Sequence, residues 1–404
     1  MTEHSLSHTG NATPFTANSD HGAPKIAIVG GGLTGLLTAT LLERGLSQQK
    51  QDNAAPKASS PQITIFEKSR SVGRLATRYH TDKNTNKNWQ WAFGAQFFTA
   101  KSDSFSQFIK PWLDSGLLQP WCAEVVELTL ANDNKQAPDI NKKEQWDTTH
   151  ARYISTPKMT SWGRALADNL CLTTVQFKTR VAPLSEPKAV TDKKTELFDT
   201  NGASLGGFDW VICTAPNNQA LELMADSNFT EQAQISQPQM QACYTLMLGW
   251  DGVQQLPETL NSKAKSATPA WDVAYVHDSP LDRIFIEHHK PAHSDLLPSV
   301  TIHARNDWSQ AHVDNDIETV QAELLQAAKQ ALNWDSNTAP SQIDCHRWRY
   351  AATVTNTERK ELGVLVDETH QWIVSGDWCA QGNIESCYLM AAETVQAITT
   401  AINK

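Results

Sequence analysis

One short stretch constrains this chain more than any other: Lys25-Ile-Ala-Ile-Val29, then Gly30-Gly31-Gly32-Leu33-Thr34-Gly35, then Leu36, Leu37, Ala39, Thr40, Leu41 and Leu42 before Arg44-Gly45. The first five residues suit a strand buried on both faces, and the last group suits a helix that is apolar on most sides and ends at Arg44-Gly45. The glycines between them answer separate needs. Gly30 permits a tight turn, Gly32 lets backbone N–H groups approach a diphosphate, and Gly35 lets the helix pack against the strand. The helix start at Leu33 and Thr34 directs partial positive charge at that diphosphate. A membrane reading fails, because the uncharged run 26–42 contains Gly30, Gly31, Gly32 and Gly35 and falls short of the ~20 residues a spanning helix needs. The preceding residues, 1–24, are rich in Ser, Thr, Asn and His and lack a basic start, so they read as a disordered tail rather than a signal peptide.

Strand, glycine turn and helix in that order predict a Rossmann-type α/β unit. Its second strand should end in an acidic residue about 20 positions beyond the last glycine, placed to accept hydrogen bonds from a ribose. Ile63-Thr-Ile-Phe66-Glu67 is that strand, with Glu67 as the ribose ligand and Lys68 beside it as a further cofactor-binding candidate. Glu67 arrives late because 46–62, polar and with two prolines, forms a surface insertion. A chain of 404 residues with 40% hydrophobic content can build more than one domain, each with its own core. The net charge of -10 repels a phosphate backbone and argues against a nucleic-acid partner. The 7 cysteines include no C-x-x-C pair, so they read as reduced thiols and place the protein in a cytoplasm.

The residues after Glu67 carry a family resemblance. Glu67-Lys-Ser-Arg-Ser-Val-Gly73-Arg74-Leu-Ala-Thr-Arg78 resembles the E-(x)n-G-G-R-x-x-[ST] segment of FAD-dependent oxidoreductases of the amine oxidase superfamily, with one glycine before the arginine instead of two. Trp91-Ala-Phe-Gly94-Ala95-Gln96-Phe97-Phe98-Thr99-Ala100 resembles the D-x-G-A-Q-Y-F-T signature of the bacterial renalase-like branch, with Ala92 at the aspartate position. Arg152-Tyr-Ile-Ser-Thr-Pro157-Lys-Met159 and Phe208-Asp-Trp-Val-Ile-Cys-Thr-Ala-Pro216 are similar to further segments of that branch. So is Trp372-Ile-Val-Ser-Gly376-Asp377-Trp378-Cys379, followed by Gly382-Asn-Ile384-Glu385-Ser386.

The resemblance implies FAD as cofactor. It would set Arg74 against the diphosphate, Gln96 beside the flavin ring, the backbone of Val181 against the adenine, and Gly376 and Asp377 on the ribityl chain, with the helix start at Ile384 aimed at the flavin or its phosphate. It also implies hydride transfer from an isomeric dihydronicotinamide dinucleotide to FAD, with molecular oxygen reoxidising the flavin and leaving as hydrogen peroxide. The dihydropyridine gains aromaticity as hydride leaves, so no strong base is required and no catalytic side chain stands out. Two other readings stay open: an FAD-dependent amine oxidase proper, and a non-catalytic flavin-binding or sensing protein.

The middle of the chain has a different texture. Residues 244–250, 271–277, 283–288 and 300–304 alternate or run apolar with turn signals between them, which predicts an antiparallel sheet. A helix over 317–332 and a strand around 346–350 complete it; elsewhere a helical pattern covers 105–121 and a strand pair 173–184. The expected fold is thus a Rossmann-type FAD-binding domain (25–96, 150–216 and 360–404) with a second, mixed α+β substrate domain (97–149 and 217–359), and inserted loops at 131–146 and 255–270. Phe97, Trp348, Tyr350 and Trp378 are candidates to line a substrate pocket, and Arg283, Arg347 and Arg349 are candidate cations for an anionic substrate. Glu287-His288-His289 with His293 lacks metal-ligand spacing and reads as a solvated strand end, so no metal is expected. Cys379 reads as a small buried residue near the cofactor.

Overall fold

The computed structural model describes residues 23–51, 61–70, 73–130, 137–185, 194–251, 255–260, 271–354 and 360–402. The expected tail falls outside these residues except for its last two. The fold is α/β, built on two large sheets. The first has six strands in the order Leu365–Asp367, Trp372–Val374, Trp210–Cys213, Lys25–Val29, Gln62–Glu67 and Thr173–Phe177. All neighbours run parallel except the first pair. On one face, Ile26 and Ile28 pack with Leu33, Leu36 and Leu37 of helix Leu33–Gln51 and with Ala391 and Ile398 of helix Ile384–Ile402. On the other, Ala27 packs with Val211, Cys213 and Met224. Burying an Ile or Leu completely is worth ~1.5–3 kcal/mol, so a strand apolar at every position gains most at the centre of a sheet covered on both faces.

The first helix does not stop at Gly45 but continues to Gln51. Residues 46–51 are Leu, Ser, Gln, Gln, Lys and Gln, mostly good helix formers. The insertion is correspondingly shorter, and 52–60 lies outside the described residues. Val181 makes only an isolated bridge to Asp199 while Thr173–Phe177 joins the first sheet, so the expected strand pair over 173–184 is not formed. The pattern at 105–121 divides into helix Asp103–Asp114 and strand Leu118–Pro120. Phe105, Phe108, Ile109 and Trp112 of that helix join the apolar cluster that holds Ile26 and Leu36.

The second sheet has seven strands in the order Gln342–Thr353, Met240–Gly249, Ser299–Ala304, Leu281–Ile286, Val273–His277, Glu124–Thr129 and Asp139–Gln145. It is antiparallel but for the pair Val273–His277 and Glu124–Thr129. Its outer strand Asp139–Gln145 lies inside the stretch expected to be a loop. That strand, DINKKEQ, is an edge strand facing water, and charges there discourage pairing with another chain while erasing the apolar alternation that marks a strand. The 255–270 stretch contains a short helical turn at Glu258–Leu260, and 261–270 lies outside the described residues.

The two faces of this sheet differ sharply. Tyr244, Leu246, Leu248, Ile284, Ile286, Val300, Ile302 and Cys345 pack against Val320, Leu324 and Ala328 of helix Ile317–Leu332. Residues one step out of phase face the other way. These include Thr245, His303, Arg283 and His346, which sit opposite one another across four strands. This second face meets the hairpin Thr77–Thr81/Asn88–Ala92 and the residues after it. No described helix is long and apolar enough to cross a membrane.

Candidate functional site

The glycine turn has the geometry its sequence requires. Gly30 holds φ +121° and donates its N–H to Phe66 O at 2.9 Å. A Cβ on Gly35 would lie 2.1 Å from Gly30 O, so the helix can approach the strand only with glycine there. Around Gly32, by contrast, a Cβ would meet nothing within 4 Å. The turn is packed where it touches strand and helix and open in its middle, with Leu33 and Thr34 buried behind it at the helix start. Gly73, at φ +64°, brings a second turn over this one, and its Cβ position is 3.4 Å from Gly32 Cα.

Glu67, buried at the end of its strand, accepts from Gly31 N through Oε2 and from Ser69 N through Oε1, both at 2.7 Å. A carboxylate offers about four acceptor positions, so capacity remains for ribose hydroxyls. The segment leading to Val181 lies alongside, with Thr179 N donating to Glu67 O at 2.9 Å. Lys68 turns instead to Gln219, donating to its Oε1 at 2.8 Å. Burial, then neighbouring Arg180, lowers the Lys68 pKa.

Arg74 joins segments that are far apart in sequence. Its Nη2 meets Asp377 Oδ1 at 2.5 Å, and its Nη1 donates to Ala351 O at 3.0 Å. That carbonyl is available because the strand Gln342–Thr353 bulges between Trp348 and Ala352. Burial opposes the Arg74 charge, but the Asp377 carboxylate outweighs it and raises the guanidinium pKa. Burial, followed by the Asp377 charge, pushes the nearby Cys387 thiol up to about 12, which leaves it protonated and unreactive. Helix Ile384–Ile402 starts at this point, where Asn383 Oδ1 accepts from Ser386 N at 2.9 Å. The turn at 30–35, Glu67, Arg74, Gly376, Asp377 and Ile384 are thereby brought to one place.

Residues 92–96 are bound between the Arg74 turn and the second sheet. Phe93 N donates to Ala76 O and Ala95 N to Arg74 O; a Cβ on Gly94 would lie 2.1 Å from Arg74 O. From the sheet side, Thr245 Oγ1 and Trp348 Nε1 both donate to Phe93 O, at 2.9 and 2.8 Å. The His303 ring bonds to the Gly94 backbone. Ala92 N donates to Glu287 Oε1 at 3.1 Å. Gln96 Nε2 donates to Ala92 O and faces His303 Nε2 at 3.3 Å, while Gln96 Oε1 accepts from Lys290 Nζ at 2.7 Å.

The stretch expected to be a solvated strand end is therefore core. Glu287 is 0% exposed and His293 4%, and the His293 ring nitrogens lie 2.8 and 2.9 Å from the carbonyl oxygens of Glu287 and Pro157. A short helical turn at Glu287–His289 folds the chain back under the sheet and buries it. Lys290, His303 and Thr245 are not among the residues singled out in the sequence, and Glu287 enters there only as part of a solvated strand end. The one available cue was a carboxylate three residues before a lysine.

Residues 28–112 match the family model described as NAD(P)-binding Rossmann-like domain. The match covers the glycine turn, Glu67, Arg74, Gln96 and helix Asp103–Asp114 as far as Trp112. Solved structures share the fold over nearly the whole chain. One is a provisionally named protoporphyrinogen oxidase from Exiguobacterium sp. 255-15, at 13% identity, with 93% of this chain and 99% of that one covered and a TM-score of 0.66. Another is cyclohexylamine oxidase from Brevibacterium oxydans IH-35A, at 10% identity, 95% and 100% coverage and a TM-score of 0.63. A third is wild-type putrescine oxidase bound to putrescine, at 11% identity, 94% and 99% coverage and a TM-score of 0.60.

Against this Rossmann-like domain the aromatic and cationic candidates separate. Phe97 packs on Trp146 with ring centroids 4.8 Å apart, and Trp348 stacks on Phe93 at 5.3 Å; both are half-buried on the side facing the domain. Tyr350 is half-buried within the bulge. Trp378 is 0% exposed and donates Nε1 to Ala215 O at 2.9 Å, so it belongs to the core. Cys379 is likewise 0% exposed. Of the three arginines, Arg283 lies opposite His303 on the face toward the domain. Arg347 lies opposite Tyr244 on the other face and donates to Val313 O, and Arg349 pairs with Asp314. Strand alternation separates them, since neighbours two apart share a face and neighbours one apart do not.

Proposed function

We propose that this chain is an FAD-dependent oxidoreductase of the renalase-like type, an oxidase acting on isomeric dihydronicotinamide dinucleotides. The observation that carries the FAD reading is the junction of three elements: a glycine turn open only at Gly32, a Glu67 carboxylate with acceptor capacity left, and an Arg74–Asp377 pair joining opposite ends of the chain beside that turn. Glu67 would hold the ribose, the Gly32 turn and the helix start behind it the diphosphate, and Asp377 the ribityl chain. Bound FAD supplies a two-electron acceptor that takes hydride from the substrate and is reoxidised by oxygen, which leaves as hydrogen peroxide. The chain's own part is to bind, orient and exclude water.

The named activities of the similar structures include two amine oxidases, so an amine is the second reading. Cation–ring contacts, rather than net charge, favour the dinucleotide, since Lys143, Arg152 and Arg283 each also pair with a carboxylate. Lys143 Nζ lies 4.0 Å and the Arg283 guanidinium 5.4 Å from the Tyr275 ring, and Arg152 lies 4.3 Å from the Trp146 ring beside Phe97. Aromatic faces that already hold cations suit an anionic substrate with flat rings better than a cationic amine. Anaerobic mixing of the purified flavoprotein with dihydronicotinamide isomers made by nonselective reduction of NAD, with authentic NADH and with putrescine tests this reading. Rapid bleaching of the flavin band by the isomer mixture alone is the expected outcome. Bleaching by putrescine alone would move the assignment to an amine, and a purified protein without a flavin spectrum would end the FAD reading.

A further inference from the structure

Glu287 and Lys290 pair at 2.9 Å with side chains 0% and 3% exposed, the only ion pair among the described residues in which both partners are this deeply buried. Such pairs are rarely explained by stability, because well-packed apolar residues of similar volume serve as well or better. Their remaining bonds end mostly on one short segment. Glu287 Oε1 accepts from Ala92 N at 3.1 Å and from Thr301 Oγ1 at 2.5 Å. Lys290 Nζ donates to Gln96 Oε1 at 2.7 Å and lies 5.4 and 5.9 Å from the Trp121 and Phe285 rings.

We propose that the Glu287–Lys290 pair is a positioning device for the flavin-side segment 92–96, setting the orientation of the Gln96 amide. The proposal rests on the FAD reading above. A lysine ammonium has donors only, so it selects the amide oxygen of Gln96 and leaves the amide nitrogen to face Ala92 O and His303. Without the ammonium the amide oxygen loses its donor, and only the nitrogen end, on Ala92 O, is still held in place. The renalase-like signature carries an aspartate where this chain has Ala92, and Glu287 brings a carboxylate to the Ala92 N–H from another element. Burial first, then the Arg283 and Lys290 charges, pushes the His303 pKa to about 3, so its ring stays neutral and can accept from Gln96.

The test compares the FAD-loaded protein with Lys290→Met, the double variant Glu287→Gln/Lys290→Met, and Gln96→Met, by thermal unfolding, visible circular dichroism of the bound flavin, and the rate of flavin reduction with its KM. Lys290→Met leaves a buried carboxylate unpaired and lowers Tm. The double variant removes both charges and restores Tm, yet keeps an altered flavin dichroism and a slowed reduction at saturating substrate, by roughly 10- to 100-fold, as expected when reacting groups are displaced by ~1 Å. Gln96→Met, which keeps the ion pair, reproduces that dichroism and rate. A double variant or a Gln96→Met protein with unchanged dichroism and rate overturns the proposal. Protein that binds no flavin at all would overturn the FAD reading instead, and if neither donor class reduces the flavin, the dichroism alone decides.

Discussion

The glycine turn at 30–35 and the segment at 92–96 flank the same Arg74 turn, yet different forces hold them. The first is set mainly by main-chain sterics: Gly35 sits where a Cβ would overlap Gly30 O, and the side-chain anchors are the Glu67 carboxylate on Gly31 N and the Thr214 hydroxyl on Gly30 O. The second is held from outside itself, by Thr245, Glu287, Lys290, His303 and Trp348, drawn from three strands of the second sheet and the turn after a fourth. The difference is one of range. A turn defined by backbone clashes needs only its neighbours, whereas a turn defined by side-chain bonds needs the tertiary structure to deliver them.

The two regions therefore break differently. The largest effect is expected for Gly35→Ala, which places a methyl group 2.1 Å from Gly30 O. Overpacking of this kind costs ~1–3 kcal/mol or more, and the prediction is loss of bound flavin absorbance together with a lowered Tm. Glu67→Ala and Asp377→Ala each remove a hydrogen bond involving a charge, worth ~1.5–3 kcal/mol. FAD affinity measured by titration of the apoprotein should fall roughly 10- to 100-fold in each; normal flavin content in both would remove the cofactor assignment. Trp348→Phe, on the sheet side, should cost only about 1 kcal/mol in denaturant unfolding, because Thr245 Oγ1 still donates to Phe93 O.

Acid should sharpen the contrast further. His303 is pushed down to about 3 by burial, then by Arg283 and Lys290, and His346 to about 4 by burial, then by Arg78. Both start from an ordinary value of 6.5. The unfolded chain therefore takes up protons before the folded one does, so the stabilisation from neutral rings is complete above pH 6.5 and is lost as pH falls toward 4. Amide protection factors in 92–96, with the intrinsic pH dependence of exchange divided out, should fall between pH 7 and pH 5 by more than those in 30–35. An equal fall in both would show that the two regions open together.

Much of the Rossmann-like half was readable beforehand, since Lys25–Val29, the glycines and Glu67 follow one another along the chain and each has a local reason for its residue type. The edge strand Asp139–Gln145 was not readable, because a solvent-facing strand with one apolar residue, Ile140, carries no apolar alternation. Trp378 was misplaced for a related reason: an aromatic beside Gly376-Asp377 fits a pocket as well as a core, and only packing shows its ring closed over by Ala215. The arginines at 283, 347 and 349 differ in nothing that composition can reveal, and strand register alone turns the first toward the Rossmann-like domain and the second away.

By itself, the sequence determined the central parallel strands, the glycine turn and the carboxylate that caps it, because steric exclusion and unbroken apolar runs act over a few residues. Only the tertiary structure decided that Arg74 meets Asp377, that a bulge turns Ala351 O toward Arg74, and that Glu287 and Lys290 lie buried against Ala92 and Gln96. Those contacts join residues nearly 200 to more than 300 positions apart. Their energies depend on burial and on direction, and neither exists until the sheets have closed on each other.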